Sequence, residues 1–465
     1  MIRFFGHYIP KSILLILILE FSIFMAAIHI GDQLRWLPVG HVPSEELENI
    51  MPRAVIFTVV MMASLMTFGL YDAGEWEGGL RGMMLRFAGG TTLGFVLMTL
   101  FFYLVPGYFL GRGAFAIAFA LAVTGSLMVR LFVFRWADMD ALKRRVLVLG
   151  TGSRSARIGK LLEKRSVAQR LAIVGYLPLD GVHHYVDHSG ILEDEGTLLE
   201  ICRRHAVSEI VIAIRDRRGT LPLEELLECR LTGIRITELS SLFEREAGQL
   251  QLESLNAGLM IHSEGFQAGI ARDLNKRIFD LCASSLLLLL TLPVMAVAAL
   301  LIVAESGFPV IYRQERVGQA GKPFTIFKFR SMRADAEKGG VPIWAAKDDD
   351  RVTRMGKIIR KLRIDELPQI FNVFKGDMSF VGPRPERPYF VEQLSKEIPY
   401  FKFRHSVKPG ITGWAQVRYA YGASIEDSIE KLQYDLYYVK NHSMFLDIMI
   451  LFQTIQVVLW GKGAR

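Results

Sequence analysis

Cysteine is scarce in this sequence. Cys202, Cys229 and Cys282 are scattered over 465 positions, with neither a disulfide framework nor metal-site spacing, which fits a reducing compartment. Zinc-finger spacing, a basic-aromatic RNA motif and a lysine-rich tail are missing too. The net charge of +8 therefore does not point to nucleic acid. It suits anionic lipid headgroups or phosphate-bearing substrates. No clear small-residue cleavage site follows the first apolar run, so no cleavable signal peptide is expected. A complete dinucleotide fingerprint is also lacking. Gly150-Thr151-Gly152 starts one, but Ser155 stands at the third glycine position. No acidic residue ends the following strand at the required spacing, and Asp180 lies too far on. The expectation is a nucleotide-free module.

What the chain has in abundance is long apolar runs. Half of its residues are hydrophobic. Four runs, Ser12 to Ile30, Pro52 to Leu70, Phe87 to Val105 and Ala114 to Phe134, each approach the ~20 residues of a bilayer crossing. Arg3 and Lys11 precede the first, and Arg130, Arg135, Lys143, Arg144 and Arg145 cluster at and after the fourth. The loop between the first two is acidic, so both ends of this bundle are expected on the cytoplasmic side. Its few ionisable groups, Glu20 and His29 among them, suggest anchoring or assembly rather than an ion pathway. A fifth run, Leu281 to Val303, is interrupted by Pro293 and has cations on both flanks. A re-entrant hairpin is expected there, with Pro293 at the kink. A plain transmembrane helix is the alternative.

Between the fourth and fifth runs the pattern changes. Strand-like RVLVL (Arg145 to Leu149) precedes a helical stretch from Ser153 to Arg165. Further strands are expected at Leu171 to Leu177 and Ile210 to Ile214, and Pro222 to Thr237 reads helix then strand. This alternation implies a doubly wound parallel sheet.

Chemistry concentrates after the fifth run. Pro309 to Met332 reads as two strands around a glycine-rich turn. It carries Arg313, Arg316, Lys322, Lys328 and Arg330, with Arg333 just after. Asp348, Asp349 and Asp350 read as a solvated acidic loop. Arg360, Lys361 and Arg363 precede the adjacent carboxylates Asp365 and Glu366, and an apolar helical stretch follows. Asp365 is expected to cap that helix and to stay ionised beside its dipole and the arginines. Gly382-Pro383-Arg384-Pro385 brings in another cation. An ionised carboxylate among arginines suits a nucleophile for phosphorus. Trp414 reads as an interfacial aromatic. Met444 to Trp460 reads as a helix lying on or docking near the membrane.

Lys276 to Trp460 resembles the bacterial sugar transferases, the monotopic phosphoglycosyl transferases. The residues carrying the likeness occur in family order. They are Gln314-x-Arg316-x-Gly318, Lys328-Phe329-Arg330-Ser331-Met332, Asp365-Glu366-Leu367-Pro368-Gln369, Gly376-Asp377-Met378-Ser379, Val381-Gly382-Pro383-Arg384-Pro385 and Lys408-Pro409-Gly410-Ile411-Thr412-Gly413. One departure is Leu362-Arg363-Ile364, where many members carry a small hydroxyl residue before the acidic pair. The resemblance implies that Asp365 attacks the β-phosphorus of a UDP-sugar and that UMP leaves. Undecaprenyl phosphate then takes the sugar-phosphate, which starts an exopolysaccharide repeat unit. It implies Mg²⁺ held partly by Glu366, phosphate contacts from Lys328, Arg330, Arg360 and Arg384, and a bacterial inner-membrane location with the catalytic part cytoplasmic.

The expected architecture is a multi-domain membrane protein. A four-helix transmembrane bundle (1–138) precedes an α/β Rossmann-like module (139–262). A mainly α catalytic domain (263–465) with its re-entrant segment at 276–304 follows, and a homodimer is the default assembly. Two rival functions are an NAD-dependent nucleotide-sugar epimerase or dehydratase and a non-catalytic scaffold for polysaccharide assembly. The first needs a Tyr-x-x-x-Lys pair, whereas Tyr434 is followed by Tyr438.

Overall fold

The computed structural model describes residues 1–36, 44–72, 79–137, 143–178, 185–186, 190–193, 196–214, 221–255, 269–333, 351–419, 422 and 424–460. The acidic loop at Asp348 to Asp350 and Asp180 lie outside them. Two compact units divide the chain, with Ala247 and Gly248 at the main boundary and Phe4–His7 falling in the second.

The first unit begins with four long helices, α1 (Lys11–Trp36), α2 (Ser44–Thr67), α3 (Gly79–Leu104) and α4 (Arg112–Ala137). All four contain stretches long and apolar enough to cross a membrane. Phe24, Phe57, Met61, Leu65, Met83 and Ala118 pack inside, while Leu15, Ile18, Val59, Leu100 and Phe132 face outward. An apolar exterior is the favourable surface in hydrocarbon. Helices α1 and α4 approach closely at Gly31. A Cβ there would stand 2.8 Å from the Ala114 carbonyl oxygen and 2.9 Å from the Ala118 nitrogen. Small residues permit such contacts between membrane helices.

A buried polar cluster joins these helices. The buried Glu20 carboxylate accepts from Arg130 Nε at 2.8 Å and Nη2 at 2.9 Å, from the Tyr71 hydroxyl at 2.5 Å, and from Ser126. Arg130 Nη1 donates to the Leu70 carbonyl at 2.9 Å. The pair thus ties α1 to α4 and to the end of α2, an assembly role.

The module that follows has four parallel strands: β1 (Arg144–Leu149), β2 (Leu171–Leu177), β3 (Glu209–Ile212) and β4 (Arg235–Glu238). Their order is β2-β1-β3-β4. Side-chain alternation along β1 explains why the whole strand is apolar. Val146 and Val148 pack with Ile158 and Phe243 on one face, and Leu147 and Leu149 pack with Ile201 and Leu226 on the other. Cys202 and Cys229 are buried in the second layer. Burial, with Cys229 alongside, pushes the Cys202 thiol up to about 12, so it is an inert core residue.

The second unit starts earlier than the expected boundary at 262/263. Leu250, Leu252 and Leu255 share its core with Trp414 and Tyr437, and the Leu250 amide donates to the Gln433 carbonyl at 3.0 Å. Trp414 is not interfacial. It is 2% exposed, stacks on Tyr437, and donates from Nε1 to the Gly248 carbonyl at 2.9 Å. The turn chemistry before it suggested an interface, but burying the indole is the larger gain.

The fifth apolar run lies in one 37-residue helix, Ile270–Ser306, with Pro293 inside it. Both of its ends are bonded within the second unit. Near the start, Lys276 Nζ donates to Asp447 Oδ2 at 2.7 Å and Arg277 donates to the Val373 and Phe374 carbonyls. At the finish, Glu305 accepts the Arg354 and Met355 amides, and Arg330 Nη2 donates to the Ser306 carbonyl at 2.8 Å. The middle presents Leu286, Leu289, Leu290, Val297 and Leu300 outward. Asp447 lies on Met444–Trp460, and that helix is held through this buried ion pair.

Around this helix stand an antiparallel pair, β5 (Ile311–Val317) and β6 (Pro323–Phe329), and a short parallel pair, β7 (Ser379–Val381) and β8 (Gly410–Thr412). Gly382 sits at the close approach after β7. A Cβ there would lie 2.3 Å from the Lys408 carbonyl oxygen and 2.9 Å from the Gly410 nitrogen.

Two stability outcomes follow. Arg130→Met leaves Glu20 buried without its counter-charge and lowers unfolding stability by about 3–5 kcal/mol. The Glu20→Leu/Arg130→Met double variant recovers part of that loss, as read by thermal unfolding in detergent. Gly382→Ala forces backbone apart and costs about 1–3 kcal/mol, whereas Gly233→Ala meets open space and is affected only through its backbone conformation.

Candidate active site

The acidic pair lies at a sharp reversal. The helix Arg354–Lys361 is capped by the Thr353 hydroxyl, which accepts from the Gly356 amide, and by Glu305. It ends at Leu362. Arg363 then adopts φ 55°, in the left-handed region that few non-glycine residues occupy. A 3₁₀ turn, Ile364–Gln369, carries Asp365 and Glu366 in its first turn, and the helix Ile370–Lys375 continues from it. Asp365 is therefore not the cap of an apolar helix. The left-handed residue before it starts a tighter turn, which presents the two carboxylates side by side.

The two are treated very differently. Glu366 is 9% exposed. Its Oε1 accepts from Lys328 Nζ at 3.0 Å and from Arg384 Nη2 at 2.6 Å, and Oε2 lies 3.8 Å from Arg363 Nη1. Burial alone would raise its pKa, but Arg384 and Lys328 outweigh that and hold the carboxyl well below its ordinary range. Asp365 makes no hydrogen bond or ion pair among the described residues. Burial, and then the Glu366 charge, push it up to about 6, against the pull of Lys328, Arg360 and Arg384. The expectation that a helix dipole and arginines keep it low is corrected here. Desolvation and a like charge win, and there is no cap geometry to oppose them. At neutral pH it is still ionised, and its oxygens are uncommitted.

Four of the residues singled out by sequence thus come together: Lys328 and Arg384 on Glu366, with Asp365 beside it. Arg360 acts on Asp365 as a charge from the last turn of its helix. Arg330 is placed elsewhere. It is 7% exposed, and its guanidinium caps the end of the long helix at Ser306 and Gly307. Pro293 lies within that helix.

Asn372 was not singled out by sequence, yet it fixes Lys328. Its side chain is fully buried. Oδ1 accepts from the Phe327 amide at 3.0 Å, and Nδ2 donates to the Thr325 carbonyl at 2.7 Å. This locks β6 to the helix that follows the acidic turn. A polar residue among apolar neighbours, Phe371-Asn372-Val373, was the available signal. Burial lowers the Lys328 pKa, with Glu366 opposing.

The arrangement resolves two roles. One carboxylate anchors Lys328 and Arg384. The other is desolvated, ionised and free. Pairs of carboxyls pushed apart in this way mark a division of chemical labour.

Comparison with known proteins places the sequence in a family. Residues 271–461 match the family model described as bacterial sugar transferase. A UDP-N-acetylgalactosamine-undecaprenyl-phosphate N-acetylgalactosaminephosphotransferase from Aeromonas hydrophila is 44% identical over 243 residues, covering 52% of this chain and 56% of that protein. A UDP-glucose:undecaprenyl-phosphate glucose-1-phosphate transferase from Xanthomonas campestris pv. campestris is 34% identical over 336 residues, covering 69% of this chain and 68% of that protein. The putative undecaprenyl-phosphate N-acetylgalactosaminyl 1-phosphate transferase of Bacillus subtilis is 54% identical over 145 residues, covering 31% of this chain and 80% of that one. The match therefore spans little more than half of the Aeromonas protein's length. With the acidic pair, its basic partners and the extent of these matches together, the chain belongs to the bacterial sugar transferase family.

Proposed function

We propose that the protein transfers a sugar-1-phosphate from a UDP-sugar to undecaprenyl phosphate through a covalent intermediate on Asp365. The observation that carries this reading is the contrast between Asp365, which has no hydrogen bond or ion pair among the described residues, and Glu366 beside it, which binds Lys328 and Arg384.

In the first step an Asp365 oxygen attacks the β-phosphorus. The bond from that phosphorus to the bridging oxygen breaks, and UMP departs. Lys328, Arg384 and Arg360 offset the charge of a diphosphate brought against a carboxylate. In the second step an oxygen of undecaprenyl phosphate attacks the same phosphorus. The bond to Asp365 breaks, and undecaprenyl-diphosphate sugar is released. Splitting the transfer lets a soluble donor and a lipid acceptor use one site in turn.

Among the described residues no cluster of three or more His, Cys, Asp or Glu could hold a metal. Two carboxylates suit Mg²⁺, which is commonly held by one or two of them with substrate phosphates completing the shell. Glu366 would hold it in part, beside the substrate phosphates, and it would supply neutralisation of diphosphate charge.

The long helix Ile270–Ser306 supports a re-entrant placement. It is apolar over a stretch sufficient to enter a bilayer, yet both ends are bonded to one unit. A lipid phosphate at the headgroup plane and a cytoplasmic UDP-sugar would then reach the same face of an inner-membrane protein.

UMP release from a panel of UDP-sugars, with purified protein, Mg²⁺ and undecaprenyl phosphate, tests the reading. Asp365→Asn should lower it by about a thousandfold or more. Lys328→Met should lower kcat/KM by about a hundredfold, and chelation of Mg²⁺ should stop turnover until the ion is restored. Release that persists in Asp365→Asn contradicts the covalent route. An epimerase or a scaffold releases no UMP. The donor panel names the sugar, on which the relatives' names differ.

A further inference from the structure

Arg384 reaches Glu366 from a segment whose backbone is held with unusual completeness. Four consecutive carbonyls each accept a hydrogen bond. Pro383 accepts from the Gly410 amide at 3.0 Å, and Glu386 accepts from the Val317 amide at 2.9 Å. Between them, Pro385 accepts from Arg316 Nη1 at 3.0 Å and Arg384 itself accepts from Arg404 Nη2 at 2.8 Å. Two prolines already restrict this stretch, so fixing its carbonyls fixes the direction in which the Arg384 side chain leaves.

Arg404 does not act alone. The same Nη2 lies 2.7 Å from Asp435 Oδ2, with the two side chains 7% and 3% exposed. Asp435 comes from the helix Ile425–Asn441. Burial pushes its carboxyl up to about 6 while Arg404 pulls it back, so the pair is charged at neutral pH. A buried ion pair of this kind is weak evidence for stability, because desolvation offsets the attraction. It is a good device for holding one geometry, since a charged donor shared between a carboxylate and a carbonyl has little freedom left.

We propose that Arg404 and Asp435 are positioning residues, which hold the Arg384 backbone so that its guanidinium meets Glu366 and the donor diphosphate. The relay runs from Asp435 to Arg404, to the Arg384 carbonyl, and through the Arg384 side chain to Glu366 Oε1. Neither residue belongs to the acidic turn or to the strand that carries Lys328. This inference rests on the transferase reading, because it assigns their purpose through Arg384.

The test is a double-mutant cycle on UMP release by the full-length protein in detergent. Arg404→Gln and Asp435→Asn are each made alone and in combination with Arg384→Ala. Each single variant should lower kcat/KM for the UDP-sugar by about tenfold or more, assayed well below its thermal midpoint, which the loss of one partner of a buried ion pair lowers. In the Arg384→Ala background either change should have less than about a threefold further effect, because its route to the substrate is already gone. Arg404→Lys, which keeps the charge opposite Asp435, should recover part of the loss. Effects that multiply with Arg384→Ala would overturn the proposal, as would full activity in folded Arg404→Gln and Asp435→Asn. Should Arg404→Gln fail to fold, the Asp435→Asn arm decides alone, since Asn keeps the size and an acceptor. Absence of UMP release from wild type would instead count against the transferase reading itself.

Discussion

Glu366 is the group on which the catalytic face depends. It binds Lys328 from one strand and Arg384 from a proline-rich segment 18 residues on, and it lies within reach of Arg363 just before it. Such a carboxylate must stay ionised, and its partners ensure that it does. Its charge then bears on Asp365, which is buried enough to feel it and has no partner of its own among the described residues. The adjacent pair thus converts one sequence motif into two different environments. Removing the Glu366 charge would loosen the cations and change the Asp365 carboxyl together, so its role cannot be separated from theirs.

The same economy is seen in the long helix. Its surface is apolar in the middle and its ends are polar, and the ends are joined to the elements that build the site. Arg330 caps it at Ser306 and Gly307, two residues along the chain from Lys328. Glu305 caps the helix that leads to the acidic turn. Lys276 and Arg277 attach its other end to Asp447 and to the helix after that turn. On the proposed reading, an apolar segment fastened in this way would set the depth at which the acidic turn meets a lipid phosphate.

Much of the fold was legible because it follows from periodicity. The strand at Arg144–Leu149 and its parallel neighbours were readable from apolar runs separated by helical stretches, and the β5–β6 pair from alternating cations and aromatics. The meeting of Lys328, Arg384 and the acidic pair followed from residue types that suit one anion. Burial was not legible. Charge in sequence pointed to a low Asp365 pKa, whereas the folded site desolvates it. Polarity put Arg330 on substrate, whereas the helix end it caps lies 24 residues back in the chain. Turn chemistry put Trp414 at an interface, and the boundary near 262 missed that Leu250 to Leu255 fill the core around it. Each of these is a long-range contact, invisible to local pattern.

The central claim is that Asp365 carries the sugar-phosphate between two steps. Its most direct test is mass spectrometry of the protein incubated with UDP-sugar and Mg²⁺ but without undecaprenyl phosphate, quenched in acid and digested. The account predicts a mass increase of one hexose-phosphate, or its N-acetylated form, on the peptide bearing Asp365, and its disappearance when the lipid acceptor is added before the quench. A modification on another residue, or turnover with no modified Asp365 peptide at any time, would contradict it.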